Sequence, residues 1–403
     1  MSMTRHCGRA VRESIVRIKA KLAEKAGLLK ALPLGVLAPA LLLTGVGIAF
    51  IFSASTDFTL SESSLGVGSG FHLRQAAFAC LGLLIMICLA VTPQRWLSGG
   101  WPFWIVGGML MLGAVMVFGR TINGAKSWIS LGPIALQPSE LCKPLLCVAL
   151  AGFLRFRRHI DSLGALLACI AITGLFFVPI LMQPDFGTSM VFIPMVGAMF
   201  WVAGGNRLYM WVLGLIGAAA FPSAYLLGLL KPHQVKRIDV YLSSVSGDVM
   251  DKTGDGYHMM QSMTAIGSGG FTGKGFGEGT QSQLAFLPER HTDFIFAVYA
   301  EETGLVGVAL FLLLFFVLLE RMLAVARDTR EPFSRLLVVG IATMFFTQVA
   351  INIGMACGIM PITGLTLPFV SYGGSSLLTS FVGLGLVANV AVQPQRVMGR
   401  EVF

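Results

Sequence analysis

Apolar runs of membrane-crossing length recur along nearly the whole chain, and this constrains the fold more than any other feature. A helix needs about 20 residues to cross some 30 Å of hydrocarbon. Ten such runs are legible, at about 32–53, 73–92, 100–118, 138–156, 163–182, 188–205, 208–231, 293–319, 334–357 and 369–392. Charged residues make up only 12% of the chain, roughly half the ~25% of a soluble domain, so a water-soluble surface cannot be assembled from it. Nor do the runs alternate as the ~10-residue strands of an outer-membrane barrel do. The expected fold is an all-α integral membrane protein of about ten transmembrane helices.

The net charge of +9 needs no nucleic acid to explain it. With the N-terminus in the cytoplasm, nineteen of the 29 Lys and Arg residues fall on the cytoplasmic side. Six of the rest lie between Lys231 and Arg290, in a long loop that the positive-inside rule weights little. The expected topology is therefore N-in and C-in. Residues 1–31 form a basic cytoplasmic segment, 32–392 the membrane domain, with its long outer loop at about 232–290, and 393–403 a cytoplasmic tail. The basic segment lacks a cleavage site and so is not a signal peptide. Val11, Ile15, Ile18, Leu22, Ala26 and Leu29 recur at helical spacing. An amphipathic surface helix and a basic tail that only orients the first span both fit. The seven cysteines avoid the long loop and read as small hydrophobes.

Polar residues gather in a few loops. The long loop contains Ile266-Gly-Ser-Gly-Gly-Phe-Thr-Gly-Lys274-Gly-Phe-Gly, then Leu287-Pro-Glu-Arg-His291-Thr-Asp293-Phe. Its glycines suit either a phosphate-cradling nest, with Lys274 adding charge, or a lid whose glycines only permit turns. Asp293 opens an apolar run, where it can cap a helix or act as a general base toward a headgroup. A second cluster runs Gly119-Arg120-Thr-Ile-Asn-Gly-Ala-Lys126-Ser127-Trp128, followed by Gln137-Pro-Ser-Glu140-Leu-Cys-Lys143. Glu140 and Lys143 share a helix face at i, i+3. Lys143 either snorkels to the interface, with Glu140 as an available partner, or faces a wet cavity. Trp128 suits an interfacial anchor. Gln183-Pro-Asp185-Phe-Gly187 supplies another acid. The segment Pro361-Ile-Thr-Gly364 … Ser371-Tyr372-Gly-Gly-Ser-Ser fits a re-entrant stretch or small residues for close helix packing. Glu301 and Glu302 lie inside an apolar run and require partners.

Together these motifs, in this order, resemble the SEDS family, the RodA and FtsW peptidoglycan glycosyltransferases of bacterial elongation, division and sporulation. The likeness covers about 32–392. It implies a multi-pass enzyme of the bacterial cytoplasmic membrane that polymerises lipid II into glycan strands on the outer face. An acceptor sugar hydroxyl attacks a lipid-linked sugar and releases undecaprenyl diphosphate. By this resemblance the catalytic residue is Asp293. Lys143, Arg120, Lys126, Glu140, Asp185, Lys274, His291, Ser371 and Tyr372 become candidates for binding sugar or diphosphate. Ser127 stands where many relatives carry Arg, so Lys126 or Arg120 would have to replace that contact. No metal-ligand set is legible, although a divalent cation, Mg2+ or Mn2+, is compatible with a diphosphate leaving group. The implied partners are lipid II, a class B penicillin-binding protein and other elongation or division proteins. The stretches at 230–237 and 281–291 look closer to RodA than to FtsW. Two rivals remain at this stage: a flippase for lipid-linked oligosaccharide, which would concentrate its polar residues near the midplane, and a non-catalytic scaffold.

Overall fold

The computed structural model describes residues 27, 31–55, 70–122, 125–131, 134–155, 160–183, 185–226, 228, 235, 239, 254–284, 286–287 and 289–393. The basic N-terminal segment other than Gly27 and Ala31, the tail after Gln393 and the stretch at 229–234 lie outside them. The first helices are α1 (Leu34–Ser55), α2 (Phe71–Ala90), a short α3 (Gln94–Gly99) and α4 (Trp101–Phe118). Three strands follow, β1 (Arg120–Ile122), β2 (Ala125–Leu131) and β3 (Ile134–Leu136). Then come α5 (Pro138–Arg155), α6 (Leu163–Met182), α7 (Phe186–Val202) and α8 (Arg207–Leu226). The chain continues with α9 (Asp255–Ser268), α10 (Thr280–Gln283), α11 (Ile295–Asp328), α12 (Pro332–Ala356) and α13 (Gly374–Val392).

Every apolar run of the sequence therefore carries a helix. Seven of the described helices, α1, α2, α4, α6, α11, α12 and α13, are long and apolar enough to cross a membrane, and α7 is a shorter apolar helix. Their ends follow local chemistry. Ser162 accepts from the Ala165 amide at the start of α6, Asp185 caps α7, and Glu331 caps α12, with Pro332 in its first turn. α12 is buried along most of its length and packs against α5, α7, α11 and α13, while α13 packs along α2. Leu34, Phe103, Leu110, Leu215 and Phe316 are exposed, as lipid-facing side chains must be.

Three features depart from the sequence reading. The 120–136 stretch, read as a loop, is an antiparallel sheet in the order β1-β2-β3, which adds a small β element to the helical bundle. The long loop contains α9, whose Met259 and Ala265 are buried against the bundle. The eighth apolar run is not one continuous helix. α11 is interrupted at Gly304, with φ 65° and ψ −165°. A Cβ there would lie 2.3 Å from the Gly273 amide nitrogen, so glycine answers both the left-handed backbone and the close approach of another chain segment.

α5 carries the charges that make it unusual among these helices. The Lys143 ammonium is 0% exposed and donates to Glu140 Oε1 at 2.7 Å. Snorkelling to an interface is thus corrected: the ammonium is shut inside the bundle and neutralised one turn back along its own helix. Breaking a buried pair strands a charge at a cost of about 3–5 kcal/mol, whereas replacing both partners can be nearly neutral. Lys143→Met should lower the thermal stability of the detergent-solubilised protein by about that amount. Adding Glu140→Gln should restore most of it, as thermal unfolding of the single and double variants would read directly.

Candidate active site

Asp293 sits in a turn, residues 289–294, that delivers the chain into α11. The Thr292 and Phe294 amides both donate to the Glu289 carbonyl, at 3.1 and 3.4 Å, and Glu289 holds a positive φ of 49°. Phe294, not Thr292 or Asp293, occupies the cap position. Thr292 spends its hydroxyl on Glu289, at 3.2 Å to its carbonyl and 3.1 Å to its carboxylate. The half-buried Asp293 is anchored through its backbone. Asn352 Nδ2, buried in α12, donates to the Asp293 carbonyl at 3.0 Å and to the Leu365 carbonyl at 2.6 Å. One amide side chain thereby ties the acid's turn to the 361–373 segment. The Asp293 carboxylate stands 3.6 Å from where a Gly364 Cβ would be.

That segment is irregular until α13 begins at Gly374. Ser371 Oγ accepts from the Leu367 amide at 2.8 Å, and the Ser371 carbonyl accepts from Gln75 Nε2 at 3.0 Å. Gln75, fully buried on α2, also accepts from the Gly373 amide at 3.3 Å. The Tyr372 amide donates to the His291 carbonyl at 2.9 Å. Phe369 adopts φ 66°, the kind of backbone strain that gathers at functional sites. Ser371 is buried and bound to the segment's own backbone, and so shapes the loop. Sequence reasoning passed over Gln75 and Asn352, although each is a polar residue within an apolar run, which is the signal that could have found them.

The other two motifs join the same unit. The Gln137 amide donates to Ser375 Oγ at 2.9 Å, and Ser375 donates to the Ala135 carbonyl at 3.0 Å. This fixes β3 and the start of α5 to the start of α13. Asp185 accepts from Gln137 Nε2 at 2.9 Å, from Ser139 Oγ at 2.8 Å and from the Thr188 amide at 3.1 Å. Its carboxylate therefore caps α7 and cross-links that helix to the start of α5. A Cβ on Gly187 would lie 2.6 Å from the Thr363 carbonyl, so α7 and the 361–373 segment touch backbone to backbone there. Among the described residues, Glu140 Oε2, both amide atoms of Gln183 and the Thr379 hydroxyl are buried without a hydrogen-bond partner. Buried polar groups of this kind normally meet water or ligand.

The glycine-rich stretch is not a nest. The Lys274 and Gly275 amides donate to the Glu301 and Glu302 carbonyls at 3.1 and 3.0 Å, and the Gly277 amide donates to Glu302 Oε2 at 3.1 Å. Donors spent on α11 are not free to hold phosphate. Lys274 itself pairs with Glu301 Oε1 at 2.6 Å, and Glu302 accepts from Ser53 Oγ at 2.5 Å. Both intramembrane acids thus have the partners that the sequence demanded, and the structure takes Lys274 to Glu301 rather than to the turn of Asp293.

His291 and Tyr372 stand beside Phe71. The imidazole stacks on the Phe71 ring at 4.8 Å and 11°, and Tyr372 leans on both. Burial lowers the His291 pKa from its ordinary 6.5, against the opposing pull of Glu289 and with the aid of Arg290. Arg120 is exposed on β1, and its backbone lies opposite Trp128, next to buried Ser127. The Lys126 side chain lies outside the described set, its backbone pairing with Thr121.

The chain matches a family model described as cell cycle protein, FtsW, RodA and SpoVE, over residues 35–396. It is 36% identical over 369 residues to a probable peptidoglycan glycosyltransferase FtsW of Thiomicrospira cyclica, covering 90% of this chain and 92% of that one. It is 38% identical over 331 residues to the peptidoglycan glycosyltransferase MrdB of Escherichia coli, covering 81% and 87%. Among solved structures, a chain from a peptidoglycan synthase complex that coordinates polymerization and crosslinking matches with a TM-score of 0.73 at 32% identity, covering 89% and 96%. The Thermus thermophilus rod shape determining protein RodA matches with a TM-score of 0.63 at 31% identity, again covering 89% and 96%. The interlocked motifs, the helical bundle and this agreement over almost the full length lead to one conclusion: the chain belongs to the FtsW/RodA/SpoVE family and is a membrane-embedded peptidoglycan glycosyltransferase of cell elongation or division.

Proposed function

We propose that the joined motifs form a lipid II polymerisation site, opening on the outer face of the bacterial cytoplasmic membrane, in which Asp293 is the general base. The observation that carries this reading is the hydrogen-bonded convergence of four separate polar motifs on the turn that holds a half-buried carboxylate. In the step, Asp293 takes the proton of the acceptor sugar's hydroxyl as that oxygen bonds to C1 of the donor sugar. The C1–O bond to the diphosphate breaks, and undecaprenyl diphosphate leaves with the electron pair. A carboxylate held by its backbone from α12 needs little reorganisation at that moment.

Arg120, exposed on the sheet, is suited to meet the diphosphate with a planar two-donor fork. Lys143 supports the site through Glu140, whose second carboxylate oxygen has no partner among the described residues. His291 and Tyr372 offer ring surface to a sugar. Among the described residues no three His, Cys, Asp or Glu side chains lie together as a metal cage. Mg2+ can be bound by substrate phosphates and as little as one carboxylate. A divalent cation arriving with the diphosphate would be held mainly by the phosphates, with Asp293 as a carboxylate able to join them, and would neutralise charge on the leaving group. The similarity to a chain of a synthase complex supports a class B penicillin-binding protein as partner. A flippase reading is weaker, because the polar motifs gather at the ends of α5, α7, α11 and α13 rather than midway along them.

Two outcomes test this reading. With purified protein and fluorescent lipid II, Asp293→Asn should reduce glycan-ladder formation by about 10²-fold or more at unchanged thermal stability. An Asn variant that polymerises near the wild-type rate would sink the assignment, and lipid moved between leaflets without ladders would favour the flippase. The second outcome concerns pH. A histidine held neutral in the folded protein has a folded pKa below its unfolded value. The unfolded chain then binds the extra proton first, so stability is complete above about pH 6.5 and falls as pH drops through the lowered folded value. His291→Gln should flatten that decline in melting temperature between about pH 7.5 and 5.

A further inference from the structure

α11 does not reach the turn of Asp293 as one rigid rod. The break at Gly304 leaves a stub from Ile295 to Thr303, about two and a half helical turns, with Asp293 just beyond its end. Across the break the Tyr299 hydroxyl donates to the Gly307 carbonyl at 3.0 Å, a single tie that by itself does not fix the direction of this stub. The segment at 269–283 does so from outside. The Leu305 and Val306 amides donate to the Gly270 and Phe271 carbonyls at 3.0 and 3.2 Å, replacing the helical bonds lost at the break. The Glu301 carboxylate, 0% exposed, accepts from Lys274 Nζ at 2.6 Å, from the Gln281 amide at 2.9 Å and from the Ser282 amide at 3.3 Å. The Thr280 hydroxyl accepts from Lys274 at 2.7 Å and donates to the same carboxylate at 3.2 Å.

We infer that Lys274 and Glu301 are a positioning pair for glycosyl transfer: their contact clamps the stub and so holds Asp293 at the reacting atoms. Neither residue touches substrate. The clamp acts through the direction of the stub, and a displacement of about 1 Å at a reacting group can reduce turnover by as much as 10²-fold. A charge-assisted contact also does what the glycine-rich backbone alone cannot. It joins the start of α10 to the last turn before the break through one buried carboxylate. This rests on the reading of Asp293 as the base.

The test combines kinetics with a measurement that is independent of activity. Lys274→Met, Glu301→Gln, the double variant and Lys274→Arg are compared in lipid II polymerisation, and amide hydrogen exchange is followed over residues 291–303. Each single loss should lower kcat about tenfold or more with KM unchanged. The double variant should be no worse than the poorer single, Lys274→Arg should recover most of the rate, and exchange in the stub should quicken in Lys274→Met. A raised KM at unchanged kcat in Lys274→Met would overturn the proposal in favour of a substrate contact. Additive losses in the double variant, or unchanged exchange, would overturn it as well. Should Glu301→Gln fail to fold, Lys274→Met carries the test alone, since that side chain is a quarter exposed. Polymerisation that survives Asp293→Asn removes the base assignment and leaves the exchange result standing.

Discussion

A helix that stops inside a membrane leaves amides and carbonyls with no water to bond, and the catalytic end of this protein depends on how two such stops are satisfied. At Gly304 the missing partners come from the 269–277 strap. Between α12 and α13, the irregular segment at 357–373 is carried by its own turns, by Gln75 of α2 and by Asn352 of α12. Each interruption is tolerated because protein, not lipid, surrounds it. Each also releases the chain from helical geometry where a carboxylate has to be presented.

Buried charge follows the same logic. Glu301 is matched by Lys274 and amide donors, Glu302 by Ser53 and a glycine amide, and Lys143 by Glu140. Such pairs add little net stability over well-packed apolar residues, but losing one partner is expensive, so they fix a particular arrangement. Here the arrangement fixed is the meeting of α1 and α10 with α11 and the 269–277 strap, while the Lys143–Glu140 pair stays within α5. Asp185 belongs with this group. Three donors and a helix N-terminus hold this acid in its short turn.

Peptidoglycan polymerisation joins two large lipid-linked sugars at a membrane surface, and the chemistry asks little of the protein beyond one base and a place for the diphosphate. Asp185, Lys274 and Ser371 make hydrogen bonds within the fold, Lys143 is sealed against Glu140, and the Asp293 turn is tied to α12 through its carbonyl, with the carboxylate half-buried beside Gly364.

The amino-acid sequence by itself determined the helices, because hydrocarbon thickness dictates a run length that survives any rearrangement of neighbours. It also determined which segments matter, since polar residues at the ends of apolar runs have to be justified, and the motif likeness led to the family and to Asp293. Tertiary structure alone decided what those polar residues do. Glycines at 269–277 are equally good for a nest, a lid or a strap, and only the approach of Gly304 selects the strap. Lysine at 143 suits snorkelling as well as pairing until the packing around α5 closes over it. Gln75 and Asn352 make contacts 296 and 59 residues away along the chain, and local pattern carries no information about such partners. Hydrophobic length is a property of each segment, whereas the pairing of polar groups is a property of their neighbours in space.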